Sequence, residues 1–484
     1  MPGGWRPVCW VLVGWLVCGC ATDKQSPSGP ETGARPEIEL SLLVVEDPAM
    51  AAEIDRLRGD WKARTHATLK INEISADELL ARQSLDGPID AIIYPSCQLG
   101  PLAQRTWIAP LPADYARNKE LAWSDTFELL QVAEATWGQV PYAVPLGSPV
   151  LTCFYRADLL ERFHKRPPQT WADYHELAAF LARRENLGDA APPPDAPWFG
   201  AVEPLAKPWA GRVLLARAAA YAKHRDNFST LFKVDTMQPL IDGPPFVRAL
   251  TELVADAKLG PPNVRELDPA AARREFLTGH AALALSYPSH AGSDDGQPDQ
   301  AMAIGFVELP GSSSVYNFTA QRWEDRIAGE STRIPLLGFA GRLGSVAQQA
   351  AHPENAFQLL AWLSGHEWGA KVSGASPATT LYRRSQVRDP RPWLDPLTDA
   401  EAAQQYARSV QDALSRQAHL FALRIPGQEK YLAALETAVE QATSGQRSPS
   451  EALQQAATEW SQITDALGLD AQRDAYRKSL NLEP

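Results

Sequence analysis

The sequence predicts an α/β protein built from two lobes, each with a mainly parallel sheet flanked by helices, and with a helical C-terminal extension. Apolar runs typical of buried strands, the first at Ile38–Val45, alternate with stretches of helical periodicity. Two β-rich runs, Tyr142–Leu146 and Val150–Tyr155, are separated by the break Gly147-Ser148-Pro149, as expected where a chain leaves one domain for another. The end of the chain predicts helices near Asp399–Arg416, Gln428–Thr443 and Ser450–Ala466.

The composition is that of a large globular protein. The 484-residue chain is long enough for two or three ordinary domains or for one large two-lobed unit. Its residues are 45% hydrophobic and 21% charged, which excludes a disordered chain. The formal net charge of −12 argues against a nucleic-acid partner, because phosphate contacts need clustered lysine and arginine.

The N-terminus has the features of an exported, lipid-anchored protein. A positively charged start precedes the apolar run Val8–Val17, which is too short for a permanent membrane span. Residues 16–20, Leu-Val-Cys-Gly-Cys, resemble the bacterial lipobox, which implies lipidation of Cys20. We therefore predict a signal peptide at 1–19, a flexible linker at 20–36 and anchoring to the extracytoplasmic face of the cell envelope. An ordinary secretory signal that contains cysteines is the alternative.

The first part of the folded chain predicts the beginning of a doubly wound sheet. Asp47 and Pro48 are suited to be the N-cap and first residue of a helix, and Ser75 opens a second helix through a capping box. These helices separate three strands, expected at Ile38–Val45, Leu69–Ile74 and Ile89–Tyr94. In such sheets ligands bind beyond the carboxyl ends of the strands. The residues at those ends are Glu46, Asp47, Ser96 and Cys97.

A second α/β lobe is predicted after the break. Thr170 is an N-cap with Asp173 three residues later, and an apolar series typical of a helix follows them. Residues 311–333 are polar and predict a loop. Strands are expected at Trp198–Val202, Ala281–Ser286 and Ala303–Leu309, and helices at Ala157–Phe163, Phe246–Ala257 and Pro269–Leu277. A further strand, Ile334–Arg342, is expected after the polar loop.

Several of these segments, in this order, resemble the family-1 bacterial extracellular solute-binding proteins, the binding lipoproteins of ABC importers. Pro141–Leu177 resembles the family's crossing between lobes, and 276–286, FLTGHAALALS, resemble its F-x-x-G-x-A-A-M segment. The resemblance covers essentially the whole mature chain and implies the type II periplasmic-binding-protein fold, similar to that of maltose-binding protein. It implies an N-terminal lobe of 37–147 and 334–376, and a C-terminal lobe of 148–333 and 377–484.

This fold would place a ligand between the lobes, where aromatic faces and hydrogen-bonding side chains hold a neutral polar solute. Three of the candidates have a purely structural alternative: Asp47 as a helix N-cap, Ser148 as a turn residue and Trp209 as part of a helix-packing core. The candidate ligand-binding residues are Glu46, Asp47, Ser96, Cys97, Ser148, Glu203, Trp209, Tyr287, Ser289, Tyr316, Trp323 and Ser376.

One departure from the family concerns the ligand. Sugar-binding relatives often follow the A-A-M strand with Gly-Pro-Trp, whose tryptophan stacks on the sugar, whereas this chain has Tyr287-Pro288-Ser289. Either Tyr287 restores the aromatic face from a shifted position, or the site is not built for a pyranose. The resemblance implies a monomer that captures a small polar solute and delivers it to an ABC permease. A sugar or oligosaccharide is favoured over other polar solutes.

No sequence motif predicts catalysis or a metal site. The phosphate loop, the H-E-x-x-H zinc helix, the C-x-x-C pair and the G-x-S-x-G elbow are all absent from the sequence. We therefore expect no enzyme activity, no catalytic residue, no metal and no cofactor. The alternative is a cell-envelope lipoprotein that kept the fold and acts as an enzyme or an assembly scaffold. Cys97 and Cys153 are expected to be free, mostly buried thiols rather than a disulfide.

Overall fold

The computed structural model describes residues 38–85, 87–287, 302–396 and 398–482. The predicted signal peptide, the linker with Cys20, and Ser289 lie outside these ranges. Up to the first crossing the elements are β1 (Glu39–Val45), α1 (Pro48–Thr65), β2 (Thr68–Ile74), α2 (Ala76–Ala81), β3 (Ala91–Pro95), α3 (Leu99–Gln104), β4 (Thr136–Trp137), β5 (Val140–Pro141) and β6 (Val144–Gly147).

The chain then forms the elements of the second sheet and its helices. They are β7 (Thr152–Arg156), α4 (Ala157–Arg162), α5 (Trp171–Ala182), α6 (Arg184–Leu187), β8 (Phe199–Val202), α7 (Ala210–Ala222), α8 (Pro244–Ala257), α9 (Pro269–Leu277), β9 (Ala281–Ser286), β10 (Ile304–Glu308), β11 (Ser314–Asn317) and β12 (Arg322–Asp325). The last elements are β13 (Leu336–Leu337), β14 (Arg342–Val346), α10 (Pro353–Ser364), α11 (Gly369–Gly374), α12 (Ala400–Leu414), β15 (Leu420–Phe421), α13 (Gln428–Thr443), α14 (Pro449–Leu467) and α15 (Leu469–Ser479).

The first sheet has the strand order β2-β1-β3-β14-β6. Its centre is apolar on both faces, and β1 is buried from Leu40 to Val45 because helices cover the sheet. The local signals in the sequence act as expected here. Asp47 caps α1 by accepting a hydrogen bond from the Met50 backbone, and Ser75 forms the capping box of α2.

The second sheet has the order β10-β7-β9-β8. The expectation of mainly parallel sheets holds for β1 with β2 and β3, and for β8 with β9. In contrast, β14 is antiparallel to β3 and β6, and β7 is antiparallel to β9 and β10. Strand β7 follows the first crossing and β14 follows the return, so each enters its sheet from the other lobe rather than through a helix of its own lobe. This topology frees both strands from the parallel direction that βαβ units impose.

The chain passes between the two sheets three times. It leaves the first sheet after Gly147 and enters the second at Thr152; it returns between Glu308 and Arg342. After α11 it crosses again, because α12 packs against β10 of the second sheet. The lobe boundaries that the resemblance implies stay a prediction.

The C-terminal helices contact both lobes. Helix α13 packs on α7, and α14 packs on α8. Phe232 of the second lobe lies 4.9 Å from the ring of Trp460 and 5.3 Å from that of Tyr476. On the other side of α15, the Lys478 carbonyl accepts a hydrogen bond of 3.0 Å from the Gly138 backbone. The helical extension therefore ties the hairpin β4–β5 of the first lobe to the second lobe.

Both cysteines of the described chain are free and buried, as expected. Among the same residues, no helix is long and apolar enough to cross a membrane.

Candidate functional site

Asp47 joins three segments of the first lobe. Besides capping α1, its carboxylate accepts a 2.7 Å hydrogen bond from Nε of Arg342 and another from the Ser376 hydroxyl. The Arg342 guanidinium also donates to the Glu46 carbonyl over 2.8 Å. Asp47 and Ser376 are almost completely buried, whereas Glu46 is exposed. The structure thus brings these three predicted residues together, and the Asp47 carboxylate is already occupied by protein donors.

A second buried carboxylate, Glu134, holds two of the crossings. Its Oε1 accepts hydrogen bonds from the Ser148 hydroxyl over 2.9 Å and from the Gly338 backbone over 3.1 Å. Burial raises the pKa of Glu134, while Ser96, Ser148 and Arg424 act in the opposite direction. The buried Ser96 hydroxyl thus also faces this carboxylate. Ser148 is therefore a contact of the hinge itself, beyond its role in the turn.

Cys97 lies where charges of both lobes meet. Burial raises the pKa of its thiol to about 11, against the lowering effect of Arg212 from the second lobe. Glu46 and Arg342 of the first lobe also act on this thiol. At neutral pH Cys97 is thus a protonated, weak hydrogen-bond donor rather than a nucleophile.

Three aromatic rings form one wall between the lobes. The ring of Tyr287 lies 5.5 Å from that of Trp209 and 6.0 Å from that of Phe339, which follows the return crossing. Tyr287 and Phe339 are buried and Trp209 is half-buried. Trp209 is therefore neither a fully packed core residue nor an isolated surface residue. Tyr287 is thus part of a continuous aromatic surface.

Next to these rings is a small cavity between the lobes, of about 30 Å³. This volume has room for about two water molecules and is too small for a sugar. Any solute of that size must enter after the lobes move apart. The cavity is lined by Val150, Leu151, Arg212, Ala216, Tyr287, Glu308, Leu309, Arg333, Ile334, Pro335, Leu336, Phe339 and Ala413.

Glu203 belongs to a buried ionic cluster inside the second lobe. Its carboxylate accepts a 2.5 Å hydrogen bond from Arg217, which also donates to Asp256 over 2.7 Å. The Arg217 guanidinium lies 4.0 Å from the ring centre of Trp171. All four side chains are almost completely buried. In this arrangement Glu203 braces α7 against its neighbours.

The cluster makes a prediction for the pH dependence of folding. Burial raises the pKa of Glu203 to about 7, although Arg217 lowers it. An unfolded glutamate has a pKa of about 4.3, so between that value and 7 the folded chain binds the extra proton. The Glu203 contribution to stability is therefore present at low pH and is lost as the pH rises through about 7.

We expect Glu203→Gln, which mimics the protonated acid, to remove this loss. Urea unfolding of both proteins at about pH 5 and about pH 8 measures this effect. Relative to the wild type, the free energy of unfolding of the variant should be larger at about pH 8 than at about pH 5. An equal free-energy difference at the two pH values would contradict the raised pKa.

Tyr316 and Trp323 face each other across the hairpin β11–β12, with rings 5.5 Å apart. Trp323 remains 37% exposed and lies 5.2 Å from the Arg248 guanidinium. Neither residue lines the cavity between the lobes. The structure therefore does not bring this predicted pair to the other candidates.

The sequence analysis missed four residues of the site: Arg212, Phe339, Arg342 and Glu134. Arg212 and Phe339 line the cavity, while Arg342 and Glu134 organise the crossings. The spacing of Arg212, three residues after Trp209, could have been recognised because such residues share a helix face. Arg342 ends the predicted apolar strand Ile334–Arg342. A charged residue in such a place usually has a buried partner, so the sequence could have indicated that Arg342 forms an ion pair. In the described part of the chain no group of acidic, histidine and cysteine side chains could hold a metal ion.

Comparison with known proteins assigns the family. A family model described as bacterial extracellular solute-binding protein matches residues 45–370. A search of curated proteins gave no match.

Solved structures of low sequence identity share the fold. An ABC transporter solute-binding protein from Agrobacterium radiobacter K84, in complex with ribitol, has a TM-score of 0.64 at 17% identity; the match covers 88% of this chain and 98% of that one. Maltose-bound MalE3 of T. maritima has a TM-score of 0.63 at 16% identity, with 88% and 100% covered. The sugar-binding protein MalE of Xanthomonas citri has 0.63 at 18%, with 89% and 98% covered.

These likenesses confirm the two-lobed, maltose-binding-protein-like fold expected from the sequence. Since the family model matches more than half of the chain, the protein belongs to the bacterial extracellular solute-binding proteins.

Proposed function

We propose that this chain is the solute-binding lipoprotein of an ABC importer and captures a small polar solute between its lobes. The observation that carries the proposal is the aromatic wall of Trp209, Tyr287 and Phe339, of which Tyr287 and Phe339 line a cavity at the crossings of a solute-binding fold. Aromatic faces bind the apolar faces of sugars and polyols. The bound ribitol and maltose of the similar structures support a carbohydrate or polyol.

The mechanism is capture by closure, without covalent chemistry. Because the present cavity is small, the solute enters an open form, and its contacts with both lobes favour the closed form. Trp209, Tyr287 and Ser289 would contact the solute from the second lobe, and Glu46 and Cys97 from the first. Asp47, Ser148 and Ser376 hold the frame of the site. The closed form then docks on an ABC permease as a monomer.

The proposed location is the extracytoplasmic face of the membrane, with Cys20 as the lipid anchor. The Leu-Val-Cys-Gly-Cys sequence at 16–20 supports it. In a bacterial host the full chain should fractionate with membranes, and Cys20→Ser should release it. Membrane attachment that survives this substitution would contradict the anchor.

A thermal-shift screen of the full chain with ribitol, mannitol and maltose tests solute capture. A solute at a hundred times its dissociation constant should add about 2.7 kcal/mol to the free energy of unfolding and raise Tm. Trp209→Ala should abolish the shift, because it removes the largest half-exposed ring of the wall. Trp323→Ala is the matched control: it removes an indole of the same lobe whose ring contacts Tyr221 and Tyr316 rather than Tyr287, and the shift should remain. No shift with any sugar, polyol or amino acid would contradict the proposal.

A further inference from the structure

Arg212 lines the cavity between the lobes, and one edge of its guanidinium has no hydrogen-bond partner among the described residues. Arg212 lies in the first turn of α7, and its Nη1 donates a hydrogen bond to the Pro208 carbonyl. Its Nε is buried without a hydrogen-bond partner, and its Nη2 makes no hydrogen bond or ion pair with any described residue. Nε and Nη2 form the side of a guanidinium that binds a carboxylate with two parallel hydrogen bonds.

A second donor on the same wall is also unpaired. The Tyr287 hydroxyl makes no hydrogen bond within the described ranges, although the residue is 5% exposed. Burial raises the pKa of this hydroxyl well above its usual value, while Arg212 acts to lower it. The hydroxyl is therefore protonated and can donate. Tyr287 and Arg212 line the same cavity, so one ligand group could meet both donors.

The carboxylates around the cavity do not neutralise Arg212. Glu308, the carboxylate that lines the cavity, receives two hydrogen bonds from Arg416 and one of 3.4 Å from Arg333. Glu436 of α13 feels the Arg212 charge, yet burial raises its pKa in spite of it, and no ion pair joins the two in the described chain. The Arg212 guanidinium lies 5.2 Å from the centre of the Trp209 ring, but no described carboxylate pairs with it, so its positive charge is left for an anionic partner outside the protein.

From these contacts we infer that the captured solute carries a carboxylate, which Arg212 binds through Nε and Nη2 beside the Tyr287 hydroxyl. The class that fits is a sugar acid or a similar polyhydroxy acid, since the aromatic wall accepts the carbon skeleton and the arginine accepts the acid group. The inference rests on the proposed solute-binding function and narrows its ligand from any polar solute to an anionic one.

The test compares matched acids and neutral parents by isothermal titration of the full chain. The probes are D-glucuronate against D-glucose and D-gluconate against D-glucitol. We expect an acid of at least one pair to bind at least tenfold more tightly than its parent, as a charge-assisted hydrogen bond allows. Its affinity should fall with added salt, and that of the neutral parent should not.

Variants of Arg212 separate this inference from the wider function. Arg212→Gln should weaken the acid at least tenfold more than it weakens the neutral parent, and Arg212→Lys, which keeps the charge but loses the double hydrogen bond, should lie between Arg212→Gln and the wild type. Arg56→Gln is the control, because Arg56 is an exposed arginine of α1 with a side chain 76% exposed. Circular dichroism confirms that each variant is folded. Neutral solutes that bind more tightly than their acids, or acids that bind Arg212→Gln unchanged, would overturn the carboxylate inference and leave solute capture standing. Failure of every acid, with a thermal shift from a neutral solute, would overturn it equally.

Discussion

Replacing Arg217 by methionine is expected to lower the free energy of unfolding by about 3–5 kcal/mol. The guanidinium is fully buried and pairs with both Glu203 and Asp256, so the substitution leaves two carboxylates in an apolar interior with no cation between them. It also removes the contact of 4.0 Å with the Trp171 ring. Methionine is shorter than arginine, so part of the loss also comes from the space that the guanidinium leaves. Urea unfolding at about pH 8 measures the effect.

Arg56→Met is the matched control for this experiment. Arg56 also pairs with a carboxylate, Glu53, but its side chain is 76% exposed, so the change should stay within about 0.5 kcal/mol. Equal losses for the two variants would show that burial of the Arg217 cluster is not the cause.

Gly147→Ala should destabilise the chain by about 2–5 kcal/mol, because the substitution adds both backbone strain and a steric clash. Gly147 has φ of +128°, which side-chain-bearing residues rarely adopt. An added Cβ would lie 2.6 Å from Thr379 and 2.7 Å from the Ser373 hydroxyl. Both neighbours are buried, so neither can move aside easily. Because Gly147 ends β6 at the first crossing, the same change should also reduce solute affinity.

Gly59→Ala is expected to have the opposite sign. Gly59 lies inside α1, and an added Cβ would meet nothing within 4 Å. Alanine there should stabilise the protein by about 0.5–1 kcal/mol. Thermal unfolding of the two variants side by side checks the pair, and a destabilised Gly59→Ala or a neutral Gly147→Ala would contradict this account.

Local chemistry made most of the elements predictable. Caps such as Asp47, Ser75 and Thr170 act on residues three or four positions away, so the sequence contains all the information they need. Strand direction was less accessible, because it depends on which distant strands meet; β14 pairs with β3 and β6 only after the chain has returned. The hairpin β11–β12 replaced an expected loop, since its polar, partly exposed strands lack the apolar alternation that identifies a strand.

The site was predictable as a region but not as a set of partners. Trp209, Tyr287 and Cys97 were identified because aromatic and polar residues at strand and helix ends are conspicuous. Glu203 is bound by Arg217 and is therefore not available to a ligand. Arg217 lies 14 residues later in the chain, so the sequence near Glu203 does not reveal this contact. Arg212 differs from the other arginines of the site because no described carboxylate pairs with it, and a missing ion pair can be recognised only in three dimensions.

The Glu134 contacts bear on where the lobes rotate. One carboxylate oxygen receives hydrogen bonds from Ser148 on the outgoing strand and from Gly338 on the returning one. Atoms on the axis of a rotation move least. Because Glu134 joins two of the segments that connect the lobes, we expect the axis of lobe rotation to pass near Glu134. The energetic cost of burying this charge is then the same in the open and closed forms and cancels from the equilibrium between them. Residues farther from the axis have the leverage to set that equilibrium.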